Sequence, residues 1–316
     1  MKVRSLLALI VAVSGTLVAC GDGDDASTTM PPTSTQTTPA STTSSAPATT
    51  VPPATTQPTT TEPAPTTEPA TSQPGTTQPV ETIELSVYFV RDERVALAHR
   101  TVPHTVATTA AALEQLLGGP TPEEATLGMS TAVPAETSLV RASISNRIAA
   151  VDLGSDFGSG GGSLSMRLRL AQVVYTVTQF PTVDAVVFEL DGQPVTVFGS
   201  EGLVLDQPLT RADFEDETPA IFVDQPAPFD RVGPQLRVSG TANVFEATFM
   251  VRVVDSAGAT VSEHFQMATS GTGTRGTFDF TVDVATAAHG TAMLRLWEPS
   301  SKDGSDTNVV EIPIEL

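Results

Sequence analysis

Regular patterning begins at Ile83. Leu85, Val87 and Phe89 alternate with Glu84, Ser86 and Tyr88, the period of a half-buried strand, and a second strand is predicted from Val95 to Val102. Val106, Ala110, Leu113 and Leu117 then fall on one helical face, which Gly118-Gly119-Pro120 ends. Thr121-Pro122-Glu123-Glu124 has the capping-box pattern with proline at the first helical position, so a short helix should start there. From Ser138 to Leu153 the pattern is a hairpin. Val140, Ala142 and Ile144 point inward, Ser145-Asn146 turns, and Ala149, Val151 and Leu153 point inward again. After the loop Gly158 to Gly162, the stripe Met166, Leu170, Val173, Val177 and Phe180 predicts a longer helix stopped by Pro181. Val186, Phe188 and Leu190 form the next strand, and Asp191-Gly192 is a two-residue hairpin signal that returns the chain through Val195 to Phe198. This order gives an α+β fold, a sheet with two helices on one face.

Past Glu215-Asp216-Glu217-Thr218, which reads as a short boundary, helical periodicity disappears. Short alternating runs recur instead: Leu236 to Val238, Phe245 to Val254, Val261 to Met267, Phe278 to Val284, Ala292 to Trp297 and Val309 to Ile314. Turns such as Asp255 to Gly258 and Lys302-Asp303-Gly304 separate them. About 100 residues with roughly seven strands suits an all-β immunoglobulin-like sandwich. No cysteine pair staples it, so packing around Phe249, Phe280 and Trp297 must hold it.

The N-terminal part carries no such pattern. Residues 26 to 82 are Thr, Pro, Ser, Ala and Gln with almost nothing large and apolar, too little to offset the ordering entropy. At ~3.1 Å per residue in extended polyproline form, this tract reaches roughly 175 Å, the length of a stalk through a cell wall. Ahead of it, Lys2 and Arg4 precede the apolar run Leu6 to Val13, as in a secretory signal segment. Leu17-Val18-Ala19-Cys20 looks like a bacterial lipobox, in which the thiol of the single cysteine takes a diacylglycerol. Residues 1–19 are then a lipoprotein signal peptide, residues 20–82 the lipidated cysteine and linker, 83–214 the α+β domain and 219–316 the sandwich. The membrane partner is reached through Cys20, on the extracytoplasmic face. Removing residues 1–19 leaves 14 basic against 36 acidic side chains, a net −22, with Lys302 the sole lysine. Such a surface repels nucleic acid and anionic headgroups.

Candidate chemistry is thin. Gly158-Ser159-Gly160-Gly161-Gly162 before a helix has the form of an anion cradle but lacks a P-loop lysine, and it reads as a connection. Asp303 and Asp306 flank Gly304 without the spacing of a calcium loop. His99, His104, His264 and His289 are scattered, with no convergent zinc set. No Gly-x-Ser-x-Gly elbow occurs at a strand-to-helix turn. Tyr88, Tyr175 and Trp297 read as core or half-buried residues, and Asp224-Gln225-Pro226 as a polar turn. The expectation is no catalytic residue, no metal and no cofactor.

Several ordered pieces carry a family resemblance. They are Val87-Tyr88-Phe89-Val90, Leu116-Leu117-Gly118-Gly119-Pro120, Ser130-Thr131-Ala132-Val133-Pro134 and Ala150-Val151-Asp152-Leu153 followed by Phe157, then Ala171 through Pro181, Val186 near Asp191-Gly192, and Pro208-Leu209. With them, residues 83 to about 214 resemble the GerMN domain of sporulation and spore-germination proteins. Gly240 to Ala247, Ser300 to Ser305 and Ile312-Pro313-Ile314 make residues 219 to 316 similar to the immunoglobulin-like domain of bacterial spore-germination proteins. The resemblance implies a non-catalytic envelope lipoprotein that docks or assembles with another envelope protein. The alternative is a sensor for cell-wall polymer or for an envelope signalling partner.

Overall fold

The computed structural model describes residues 81–200 and 202–316. The signal segment, Cys20 and the Thr/Pro tract up to residue 80 lie outside the described residues. No helix among the described residues is long and apolar enough to cross a membrane.

The first half opens with an antiparallel hairpin, β1 (Thr82–Arg91) and β2 (Arg94–Pro103), in register from Thr82 opposite Pro103 to Arg91 opposite Arg94. Its two-residue turn, Asp92-Glu93, has positive φ at both positions, the mirror-image turn whose twist suits a hairpin. Helix α1 (Thr108–Leu117) buries Thr109, Ala112, Leu113 and Leu116. Val106 precedes the helix and is 96% exposed, so the buried stripe is shifted from the one predicted. Helix α2 (Pro122–Thr126) has the reciprocal capping box: Thr121 Oγ1 accepts from the Glu124 N–H at 3.2 Å, and Glu124 Oε2 accepts from the Thr121 N–H at 2.8 Å.

β3 (Leu139–Ser145) and β4 (Ile148–Leu153) form the next hairpin, with the turn one residue later than predicted, at Asn146-Arg147. Ala149, Val151 and Leu153 are fully buried, but Val140 and Ile144 on β3 are 55% and 42% exposed. β3 is an edge strand whose predicted inward residues are left largely uncovered. Helix α3 (Ser163–Val177) crosses over to β5 (Ala185–Leu190), which pairs parallel to β4, and β6 (Gln193–Pro194) completes a four-stranded sheet in the order β3-β4-β5-β6. The returning chain makes a separate small pair, β7 (Val197–Phe198) with β8 (Leu203–Val204). Eleven of the 15 residues of α3 are buried, because it packs against the β1–β2 hairpin as well as β5 and α1. Its end comes at Thr178, so Phe180 and Pro181 lie beyond it.

A 3-10 segment, Arg211–Glu217, leads into the second half. The short boundary expected at Glu215 to Thr218 lies in a packed segment: Phe214, Glu217 and Thr218 are all buried. Seven strands follow. They are β9 (Ile221–Gln225), β10 (Gln235–Ala242), β11 (Thr248–Val254), β12 (Thr260–Met267), β13 (Gly276–Asp283), β14 (Thr291–Pro299) and β15 (Asp306–Glu315). They form a three-stranded sheet, β13-β10-β9, and a four-stranded sheet, β12-β11-β14-β15, with Leu236, Val238, Phe249, Val251, Leu294, Leu296 and Ile314 between them. Phe245 sits in a turn and is 51% exposed rather than starting a strand. Trp297 is buried on the outer face of its sheet, opposite Met250 and between the guanidinium groups of Arg252 and Arg295, 5.0 and 5.1 Å from its ring.

β9 belongs to both cores. Its alternation sends Ile221 and Val223 into the sandwich and Phe222 into the first half. A bulge in the β9–β10 register falls at Gly240, where a Cβ would stand 2.1 Å from the Phe222 carbonyl oxygen. Glycine is required there by close approach alone.

Candidate interaction surface

The junction is aromatic. Tyr88 of β1, Tyr175 of α3 and Phe222 of β9 form a triangle with ring centroids 5.3, 5.8 and 6.0 Å apart. Arg211 covers it, its guanidinium 4.7 Å from the Tyr175 ring and 5.2 Å from that of Tyr88. Arg211 also donates to Thr178 Oγ1 at 2.9 Å and to the Tyr175 carbonyl at 3.1 Å. Burial pushes the Tyr88 phenol up to about 12, against the pull of Arg211. Burial likewise lifts the Asp224 carboxyl above the usual carboxylate range, although Arg211 lies 3.8 Å away. At the rim, Arg275 donates to both Glu215 oxygens at 2.8 and 2.9 Å, and Asn243 to one at 3.0 Å.

One edge of β1 is completed by a helix. Gln172 donates to the Tyr88 carbonyl at 3.0 Å, Thr176 accepts from the Tyr88 N–H at 3.2 Å, and Gln179 bonds both the N–H and the carbonyl of Ser86, at 2.8 and 2.6 Å. Val90 pairs with Ser130. Polar side chains four and three residues apart on α3 and its extension thus stand in for a neighbouring strand.

This arrangement fixes the direction of the other edge. Since Ser86, Tyr88 and Val90 turn their backbone groups away from β2, their partners His99, Leu97 and Val95 turn theirs away from β1. Val95 and Leu97 stand at the wall of a cavity of about 250 Å³ between the hairpin and the sandwich. Ile221, Val223, Val309 and Ile312 also line it, from β9 and β15, each paired on one side within its sheet. Arg91 and Arg94 stand at the same cavity and donate to the backbone carbonyls of Glu311 and Asp216. The cavity therefore combines apolar walls, a buried strand edge that no further strand pairs among the described residues, and two guanidinium groups, of which Arg91 lies 3.9 Å from the Asp92 carboxylate. Composition signals none of this, because the register and the packing of two sheets create it.

The residues singled out in the sequence go elsewhere. Asp303 accepts from the N–H and hydroxyl of Ser305, while Asp306 pairs with Arg295 at 3.1 Å. At the Gly158–Gly162 loop the carbonyls of Ser159 and Gly160, and that of Phe157 just before it, turn inward and accept from the buried Arg169, at 2.9, 3.2 and 2.5 Å. That polarity suits a cation, which the protein supplies itself. His264 packs edge-on against Phe280. His99 differs from the other histidines: its Nδ1 lies 2.8 Å from Asp230 Oδ2 and 3.7 Å from Glu84 Oε1. Burial works against its protonation, but the bond to Asp230 and the charges of Asp230 and Glu84 outweigh this and raise its pKa above the ordinary value.

Comparison with known proteins agrees with this architecture. Residues 86–196 match the family model described as sporulation and spore germination. Residues 220–305 match that of the immunoglobulin-like domain of bacterial spore germination. Matches to two spore-germination domain models thus follow one another along this chain. Among solved structures, the first GerMN domain of the sporulation protein GerM from Bacillus subtilis is 25% identical, over 42% of this chain and all of that one, with a TM-score of 0.35. The tandem GerMN domains of the same protein are 16% identical over 64% of this chain and 62% of theirs, with a TM-score of 0.37. No curated protein matches the sequence significantly.

Proposed function

We propose that this protein is a non-catalytic module of sporulation or germination type, held at the outer face of the cell membrane by lipid on Cys20, that docks an extended segment of another envelope protein. Residues 20–82 serve as the stalk, and residues 83–214 and 219–316 as the docking body. The β2 edge at Val95 and Leu97, which no further strand pairs among the described residues and which lies buried at the cavity wall, is the observation that supports the docking. An added strand supplies main-chain hydrogen bonds to such an edge, and apolar pockets take its alternate side chains. The cavity holds the volume of roughly eight waters at ~30 Å³ each, which suits a few side chains rather than a folded surface. Arg91 and Arg94 favour a carboxylate in the docking segment. The net charge of −20 opposes a second copy as partner.

A photo-crosslinking residue at Val309, which lines the cavity and is 42% exposed, should label one extended segment of one envelope protein in intact cells. The same probe at Ile144, equally exposed on β3, should not. Labelling from Ile144 alone, or binding of purified wall polymer with no protein adduct, would replace this reading. Cys20→Ala should leave uncleaved or released precursor; normal membrane-bound mature protein in that variant would remove the anchor from the proposal.

A further inference from the structure

We propose that Glu84, His99 and Asp230 form a divalent-cation site that clamps the β1–β2 hairpin to the sandwich. Among the described residues this is the one group of three or more histidine, cysteine or carboxylate side chains with ligand atoms all within 4.8 Å of one another. Backbone register places it. His99 lies opposite Ser86, so Glu84, two residues earlier on β1, shares its face as a diagonal neighbour. Asp230 comes from the turn after β9, on the other half of the molecule. It is held from three sides: its carboxylate accepts from the Ala227 N–H at 2.8 Å, its N–H donates to the Ala227 carbonyl, and its carbonyl accepts from Glu315. A ligand carboxylate oriented by backbone in this way resembles the outer-shell support of metal sites.

The distances suit a single small ion. Ligand atoms ~2.1 Å from a tetrahedral zinc ion stand roughly 3.4 Å apart. The Nδ1–Oε1 separation of 3.7 Å is close to that value, while the 2.8 Å hydrogen bond between Nδ1 and Oδ2 must open by roughly 0.6 Å and give up its proton when an ion enters. One imidazole nitrogen and two carboxylate oxygens are donors that zinc accepts, with Glu84 the adjustable one, its side chain 60% exposed. Asp224, whose field reaches His99, is paired with Arg211 at 3.8 Å, so Asp230 and Glu84 are the carboxylates left to an ion. This site is separate from the cavity and holds whether or not a strand docks there.

The test uses the full-length protein in detergent, stripped with chelator and titrated calorimetrically with zinc chloride near neutral pH. One equivalent should bind in the micromolar range or tighter. Histidine-selective nitrogen NMR should show the His99 Nδ1 resonance moving while those of His104, His264 and His289 stay. His99→Gln and Asp230→Asn should each weaken binding by at least ~10-fold. Because Glu84 is mostly exposed, Glu84→Gln tests the site without threatening the fold: zinc should raise the unfolding temperature of the parent protein and raise it less in this variant. Absence of stoichiometric binding, or binding that survives all three substitutions, would overturn the site.

Discussion

The two halves of this molecule bury their strands by different means. The sandwich uses simple alternation, so that Leu236 and Val238, Phe249, Val251 and Val253, or Leu294 and Leu296 enter one core while their neighbours face solvent or pack outside. The first half wraps a hairpin, a second sheet and a short helix around α3, whose buried residues include Arg169, Gln172 and Thr176. Gln172 and Thr176 satisfy backbone groups of β1 that a strand neighbour would otherwise take, and Arg169 satisfies carbonyls of the loop before α3. The difference teaches where stability is concentrated. In the sandwich it is spread over many interchangeable apolar contacts, each worth about 25 cal/mol per Å² buried. In the first half it also depends on a few hydrogen bonds with no substitute, since a buried backbone group left unpaired costs its full desolvation penalty.

Phe222 joins the two regimes, and its loss should have the largest effect. Phe222→Ala should cost ~3–5 kcal/mol, as expected for a buried aromatic side chain. The halves can be read separately, because the single tryptophan, Trp297, lies in the sandwich, while the α-helices lie in the first half. In urea, tryptophan fluorescence and the helical circular dichroism signal should coincide for the parent protein and separate for Phe222→Ala. Coincident transitions in the variant would mean that the halves are coupled by something other than this ring.

Gln172→Leu sharpens the comparison. The change keeps the apolar volume but orphans the Tyr88 carbonyl and the Ala132 N–H, which Gln172 bonds at 3.0 and 2.8 Å. Each orphaned group should cost ~1–3 kcal/mol. The loss should appear first in the helical signal; an unchanged urea midpoint would show that the helix is not completing the β1 edge.

The smallest effect belongs to the rim. Burial tends to raise the Glu215 carboxyl, but its hydrogen bonds from Arg275 and Asn243 hold it below the ordinary range. Its stabilising contribution is therefore fully present above the unfolded carboxylate value and is lost as pH falls through the folded one. Melting temperatures from neutral to acid pH should converge between the parent protein and Glu215→Gln. A constant gap would show that Glu215 contributes only through neutral contacts.

Much of the fold was legible because local rules acted alone. The Thr121 capping box, the Asp191-Gly192 turn and six alternating runs of the sandwich each depend on residues close in sequence, whereas no run was read at β9, the seventh strand. Tyr88 fits its reading as a core or half-buried residue: it sits in a polar slot of the β1 alternation yet is 2% exposed, because Phe222 covers that face. The misread positions lie elsewhere. Val140 and Ile144 had the right period on an edge strand whose contacts with α1 and the core reach Leu139 and Ala142 but leave these two exposed. The β2 edge without a further strand and the Glu84–His99–Asp230 group left no trace in spacing, since 131 residues separate His99 from Asp230.

By itself, then, the sequence determined the element types, their order, the two domain resemblances and the acidic charge, all properties of composition and short-range period. Tertiary structure decided which alternating face met a partner, that β9 serves two cores, and which ionisable groups converge at the junction. The physical reason is that burial and electrostatic coupling depend on distance in space. A hairpin register and a shared strand set those distances only after the chain has folded.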